Sequence, residues 1–154
     1  MKFWPLATAA LIAAESAAIA CSCLNTDDPV ELRQFAADAA KDAVAMVEVE
    51  TIVSFDESKG TGDRMRVVRT LVGGGIAPEF QVARRPFASS ASCDLLFEKG
   101  QRDIVLLFAS PETARGEPTY RISGLCTAHL LDKKIFRDEV ARLMAARASK
   151  GERG

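Results

Sequence analysis

The chain has 154 residues, 20 lysines and arginines, 21 aspartates and glutamates, and a formal net charge of −1. Because the two signs of charge are interspersed along the sequence, no basic surface for a phosphate backbone is predicted, and we expect no nucleic-acid partner. About 134 residues follow the N-terminal segment, which is enough for one domain with a core but hardly for two.

Residues 1–20 are typical of an export signal. Lys2 gives a positive start, and the apolar stretch from Phe3 to Ala14 is too short to span a bilayer. The segment ends in Ala18-Ile19-Ala20, the small-x-small pattern after which signal peptidase cleaves. We therefore expect cleavage before Cys21, no transmembrane segment in the mature chain, and a secreted protein in the periplasm or the extracellular space.

Cleavage at this position would make Cys21 the first residue of the mature protein. Its free α-amine, its carbonyl oxygen and its sulfur would then lie within a few atoms of one another. Such a terminus can be fixed by a disulfide, lipidated or bound to a metal. Cys23 follows after a single residue, Ser22.

All four cysteines of the chain follow the signal, and an even number in an oxidising compartment favours two disulfides. A bridge between Cys21 and Cys23 is sterically poor because one residue separates them. Two connectivities remain, and each links the terminal tripeptide to both Cys93 and Cys126. Each bridge would contribute about 4 to 5 kcal/mol at most and would hold the first three residues rigid.

The first element predicted in the mature domain is a helix over Val30–Asp42. Asn25-Thr26-Asp27-Asp28 precedes Pro29, and polar residues before a proline at the first helical position are typical of a helix N-terminus. Apolar residues at i, i+3, i+4, i+7 and i+8 form one stripe that should face a core, namely Leu32, Phe35, Ala36, Ala39 and Ala40.

Five strands are predicted after this helix. A hairpin loop over 56–63 connects the first two strands, and Gly73-Gly74-Gly75 ends the second as a flexible corner. The run 104–108 is continuously apolar, which suits a strand buried on both faces. The predicted strands are Ala43–Phe55, Arg64–Val72, Phe80–Ala83, Ile104–Phe108 and Thr119–Ile122.

A C-terminal helix is predicted within 132–146, starting at about Lys134, with 147–154 as a flexible tail. No helical crossover separates successive strands, so a parallel sheet is disfavoured. The predicted fold is mainly β with flanking helices: a five-stranded OB-fold-like barrel with a helix before the first strand and a helix at the C-terminus. The inner face of the last helix should comprise Phe136, Val140, Leu143 and Met144.

Patterns typical of an enzyme site are missing from the sequence, and we expect no enzymatic activity. His129 is the only histidine, which excludes an HExxH zinc motif, and we expect it at the surface or near a helix end. Gly73-Gly74-Gly75 lacks the lysine and Ser/Thr of a phosphate-binding loop. The acidic pairs Asp27-Asp28 and Asp56-Glu57 lie in predicted turns, where acidic residues have local roles.

Several features occur in a characteristic order: Cys-Ser-Cys at 21–23, then Ser89-Ser90-Ala91-Ser92-Cys93, then Phe97-Glu98-Lys99-Gly100 before an apolar strand, then Cys126. In this order and spacing, residues 21–131 resemble the tissue inhibitors of metalloproteinases, within the wider netrin-like group of domains. The inhibitory part of that family is an OB-fold barrel. The resemblance implies disulfides between Cys21 and Cys93 and between Cys23 and Cys126.

The resemblance further implies an exported inhibitor of zinc metalloendopeptidases. The α-amine nitrogen and carbonyl oxygen of Cys21 would form a five-membered chelate ring on the protease's catalytic zinc, at the position that water otherwise holds. Ser22 would point into the specificity pocket of the protease. The zinc would belong to the partner, and we expect a monomer without a cofactor of its own. Further protease contacts implied are Cys23, Ser90, Ala91 and Ser92.

Two alternatives remain open at the level of sequence. The first is an exported netrin-like binding or structural module without inhibitory activity, in which the Cys-Ser-Cys terminus only fixes the fold. The second is a lipoprotein with Cys21 lipidated. Lipidation would consume one sulfur and leave an odd number of cysteines, and Ala18 stands where a bulkier aliphatic residue is usual.

Overall fold

The computed structural model describes residues 23, 27–56, 62–83, 96–110 and 116–151. The predicted elements occur in the predicted order, and one further helix, α2, lies between the last strand and the C-terminal helix. The elements are α1 (Pro29–Ala40), β1 (Ala43–Val53), β2 (Arg64–Gly73), β3 (Glu79–Val82), β4 (Arg102–Ala109), β5 (Thr119–Ile122), α2 (Leu125–Leu131) and α3 (Lys134–Gly151).

Helix α1 begins where its sequence predicts. Asp28 is the N-cap, and its carboxylate accepts a hydrogen bond from the Val30 backbone N–H at 2.8 Å. Pro29 follows at the first helical position, where a proline costs no hydrogen bond. The local role expected for the acidic pair at 27–28 is therefore confirmed for Asp28. The predicted stripe is buried at Leu32, Ala36 and Ala40.

The strands form a closed barrel in the order β1-β2-β3-β5-β4. The long strand β1 pairs antiparallel with β2 on one side and with β4 on the other. Strand β3 pairs antiparallel with β2 and parallel with β5, and β5 returns antiparallel to β4. This arrangement is an OB-fold-like barrel with a helix before the first strand and a helix at the C-terminus, which confirms the predicted fold class.

The apolar core has two parts that share the barrel wall. One fills the barrel interior, where the Phe80 and Tyr120 rings meet edge to face with centroids 5.2 Å apart. The other lies between the barrel wall and the helices, with Phe136 and Val140 of α3 at its centre. Strand β4 contributes to both, because Val105 and Leu107 belong to the interior cluster and Leu106 to the helical cluster. The prediction that this strand is buried on both faces is confirmed.

Helix α2 was not predicted from the sequence. It is seven residues long, and its N-cap, Gly124, makes no side-chain capping bond. A short helix without a cap signal shows little periodicity, and its formation depends on packing. Leu130 and Leu131 supply that packing, because both are buried in the helical cluster.

Helix α3 is longer than predicted, because it continues past the predicted end at residue 146 to Gly151. The Arg147 guanidinium explains the extension. It donates a hydrogen bond to the Ala40 carbonyl at 2.8 Å and further bonds to the carbonyls of Lys41 and Ala43. These carbonyls lie where α1 ends and β1 begins, so Arg147 ties the last turns of α3 to the rest of the fold. Within the described ranges, no helix combines the length and the apolar character needed to cross a bilayer.

The backbone of Gly73 lies close to the backbone of β1. The sequence predicted only a flexible corner at residues 73–75. Its φ is +87°, and a Cβ placed on it would lie 2.4 Å from the Val44 carbonyl oxygen and 2.9 Å from the Ala45 Cα. Gly75 also has a positive φ, +72°, but a Cβ there would meet no atom within 4 Å. Gly74 has neither constraint. Only a residue without a side chain therefore allows β2 to approach β1 at Gly73.

These differences predict a graded series of alanine substitutions. Gly73→Ala should lower the free energy of unfolding by at least about 2 kcal/mol, because it combines an unfavourable φ with a backbone clash. Gly75→Ala should cost about 1 kcal/mol for the positive φ alone. Gly74→Ala is the matched control and should change stability by less than about 0.5 kcal/mol. Urea unfolding followed by circular dichroism measures all three, and equal midpoints for Gly73→Ala and Gly74→Ala would contradict this interpretation.

Candidate functional site

A disulfide between Cys23 and Cys126 fixes the N-terminal part of the described chain. It joins residues 103 positions apart, with their Cα atoms 5.0 Å from each other. Cys126 is the second residue of α2, and α2 is held on the barrel through its two buried leucines. The bridge therefore anchors Cys23 to a packed element, as the resemblance implied, and the pairing of Cys23 with Cys126 is confirmed.

The other predicted site residues lie outside the described residues. The predicted bridge from Cys21 to Cys93 stays a prediction for that reason, as do the protease contacts at Ser22, Ser90, Ala91 and Ser92. Of the predicted contacts, only Cys23 has a described position. Cys21 precedes it by two residues, and two extended residues span at most about 7 Å.

An ion pair lies close in sequence to the disulfide between Cys23 and Cys126. Lys133, in the turn between α2 and α3, donates a hydrogen bond from Nζ to Asp27 Oδ1 at 2.6 Å. The side chain of Asp27 is 93% exposed, so this ion pair adds at most about 1 kcal/mol to stability. The pair brings Asp27 next to the turn that follows α2, the helix that carries Cys126. No local sequence pattern predicts this pairing, because the two residues are 106 positions apart.

The segment Phe97-Glu98-Lys99-Gly100, on which the resemblance partly rests, has a structural role. Phe97 is buried in the barrel interior. Lys99 and Gly100 form a turn, and the Gly100 backbone N–H donates to the Thr51 carbonyl at 2.8 Å, near the end of β1. Gly100 has a φ of +84°, which favours glycine at this turn. The segment thus positions the start of β4 beside β1.

A shallow groove opens between α1 and α2 next to the disulfide. We call it the Cys126 groove. Its walls are mostly apolar, and Asp38 is the one charged residue that lines it within the described part of the chain. The residues that line it are Phe35, Asp38, Ala39, Cys126, Thr127, Leu130 and Phe136.

Phe35 differs from its expected position in the core. The periodic pattern placed it in the buried stripe of α1, but its side chain remains 38% exposed and forms part of the groove wall. The sequence did not reveal the groove because α2, its opposite wall, was not predicted.

A second groove lies between the outer surface of β1, β2 and β4 and the helices α2 and α3. Asp103 and Asp132 line it together with Arg69, Arg102 and Arg137. Asp103 Oδ1 accepts a hydrogen bond from Gln101 Nε2 at 3.1 Å. Burial raises the pKa of Asp103 above its ordinary value of 3.8, the Gln101 hydrogen bond lowers this pKa, and the charge of Asp132 raises it.

The raised pKa of Asp103 predicts a pH-dependent contribution to stability. The folded protein binds the proton of the Asp103 carboxyl more tightly than the unfolded chain does. The stabilisation that this proton provides is therefore fully present below pH 3.8 and is lost as the pH rises through the folded-state pKa of Asp103. Asp103→Asn should therefore match the wild type at pH 3 and become increasingly more stable than it towards pH 7. Urea unfolding across this range measures the difference. A difference that stays constant with pH would contradict the predicted titration.

His129 lies in the last turn of α2 and is exposed, which confirms its predicted position at the surface near a helix end. Over the ranges that the structure covers, no three or more His, Cys, Asp or Glu side chains come together in a group that could hold a metal ion.

The bridge between Cys23 and Cys126 should contribute strongly to stability. Closing a loop of 103 residues constrains the unfolded chain, and such bridges typically contribute about 2 to 4 kcal/mol. The double variant Cys23→Ala/Cys126→Ala should lower the free energy of unfolding by this amount and keep the far-ultraviolet circular dichroism of the barrel. An unchanged urea midpoint would show that the bridge does not constrain the chain.

Comparisons of the chain with protein-family models, with curated proteins and with solved structures found no match. What bears on function is the fold and the way in which it holds Cys23.

Proposed function

We propose that this protein is an exported inhibitor of zinc metalloendopeptidases that starts, after signal cleavage, at Cys21. The α-amine nitrogen and the carbonyl oxygen of Cys21 would bind the catalytic zinc of the protease and displace its water. The protein itself would catalyse no reaction and need no cofactor. A non-inhibitory exported module is the competing function, and a lipoprotein is a third.

The disulfide between Cys23 and Cys126 is the observation that carries this proposal. A chelating terminus must be presented in one conformation, because ordering a free peptide end on binding would cost affinity. The bridge fixes Cys23 on α2, and the pair of Asp27 with Lys133 is a weaker contact four residues further along the chain. Cys21 is then separated from a fixed point by two residues only.

The closed barrel supports the proposal because it provides a rigid base. Sites that rest on packed strands and helices hold their geometry better than sites on free segments. Cys126 belongs to α2, and the buried Leu130 and Leu131 place α2 in the core that covers β4. The proposed ligand atoms would thus be connected to the core through one disulfide and one short helix.

The chemistry of the terminus suits zinc at neutral pH. An α-amine has a pKa of about 7.7 to 8.0, so a useful fraction is unprotonated near pH 7, and the metal competes readily for the rest. A second predicted bridge, from Cys21 to Cys93, would hold the first residue directly. Ser22 would occupy the specificity pocket, and a side chain so small should discriminate weakly between proteases.

The proposal predicts that inhibition requires a free α-amine at Cys21. The mature protein that starts at Cys21 should inhibit a zinc endopeptidase, and adding one alanine before Cys21 or acetylating its α-amine should abolish inhibition. Inhibition constants measured with a peptide substrate test this, with circular dichroism to verify that each form is folded. Equal inhibition by the extended form would rule out chelation, and no inhibition by the unmodified protein would favour the non-inhibitory module.

The mass of the exported protein distinguishes the proposed inhibitor from a lipoprotein. Intact and non-reduced peptide masses give the first residue, any attached lipid and both disulfides in one measurement. We expect a chain that starts at Cys21 with four oxidised cysteines and no lipid. A diacylglyceryl mass on Cys21 would identify a lipoprotein and contradict the proposed function.

A further inference from the structure

We infer that the Cys126 groove is a second contact site for the inhibited protease and that it receives a basic side chain, lysine or arginine, from the protease surface. This inference rests on the proposed function, because it places the groove within the same interface as the N-terminus. The groove lies between α1 and α2, and Cys126, the residue that anchors Cys23, is part of its wall.

The groove adjoins the residue that anchors the N-terminal segment. Cys21 lies at most about 7 Å from Cys23, whose Cα is 5.0 Å from that of Cys126. A zinc ion bound at the terminus is therefore within roughly 16 Å of the Cys126 Cα, once an N–Cα bond of about 1.5 Å and a metal–ligand distance of about 2 Å are added. A standard interface covers about 800 Å² on each partner, which corresponds to a radius of about 16 Å for a round patch. A patch of that size centred on the zinc is wide enough to reach the Cys126 edge of the groove.

The lining of the groove determines the chemistry of its occupant. Phe35 and Asp38 lie three residues apart on α1, so their side chains are neighbours on one face of the helix. Leu130 and Phe136 add apolar surface on the other side. In the described part of the chain, the Asp38 carboxylate has no hydrogen bond or ion pair, and it is exposed.

This combination of an exposed ring, an apolar wall and one carboxylate complements a long basic side chain. The hydrocarbon stem of a lysine or arginine would lie along Leu130 and the Phe35 ring, and its cation would reach Asp38. An acidic partner would be repelled by Asp38, and a purely apolar partner would bury this carboxylate without a counter-charge.

Substitutions in the groove test the inference when measured as inhibition constants of the mature protein with Cys21 intact. Phe35→Ala and Asp38→Asn should each weaken inhibition about threefold to tenfold, and Asp38→Lys should weaken it more, because it places two cations together. The losses at position 38 should shrink at 0.5 M salt. Asp38 is exposed and Phe35 partly exposed, so circular dichroism should show folded variants.

Control variants change side chains of the barrel that do not line the groove. Val68→Ala removes an exposed apolar side chain from β2, and Glu79→Gln removes a β3 carboxylate that forms ion pairs with Arg64 and Arg66. Both should inhibit as the wild type does.

The outcomes distinguish this inference from the proposed function. If the wild type inhibits, the N-acetylated protein does not, and the groove variants match the controls, the groove inference is wrong while chelation stands. Stronger inhibition by Asp38→Lys would contradict the inference that the groove receives a basic side chain. If the wild type does not inhibit, the proposed function fails and the groove inference fails with it.

Discussion

Burial of β4 on both faces is the constraint on which the rest of this structure depends. Val105 and Leu107 face the barrel interior, and Leu106 faces outward into a second apolar cluster. An outward-facing core on a barrel wall must be covered, and α1, α2 and α3 cover it with Leu32, Leu131 and Phe136. The short helix α2 exists because of this layer, and α2 carries the cysteine that fixes the N-terminus.

The fold was largely predictable from local sequence patterns. Alternation in Ala43–Phe55, the continuous apolar run in β4 and the cap at Asp28 before Pro29 each predict their element directly, and the structure has all of them. Helix α2 and the last turns of α3 were not predicted, for a common reason. Both are held by tertiary contacts, α2 by two leucines in the core and α3 by Arg147 on the end of α1, and such contacts leave no periodic signal in the sequence.

The candidate site was predictable in part. The pairing of Cys23 with Cys126 came from the order of the cysteines together with the family resemblance, because spacing alone left two connectivities open. The ion pair of Asp27 with Lys133 and the groove beside Cys126 could not be predicted. Both depend on the position of α2, which the sequence did not predict. Phe35 was expected in the core because the groove that it lines exists only when α2 is in place.

The central claim is that the α-amine of Cys21 replaces the zinc-bound water of a protease. Visible absorption of a cobalt-substituted protease tests it most directly, because the spectrum of cobalt depends on its ligands. Adding the mature protein should change the cobalt spectrum at one molar equivalent, and the N-acetylated protein should leave it unchanged. Inhibition by the mature protein without any change in the cobalt spectrum would contradict the account.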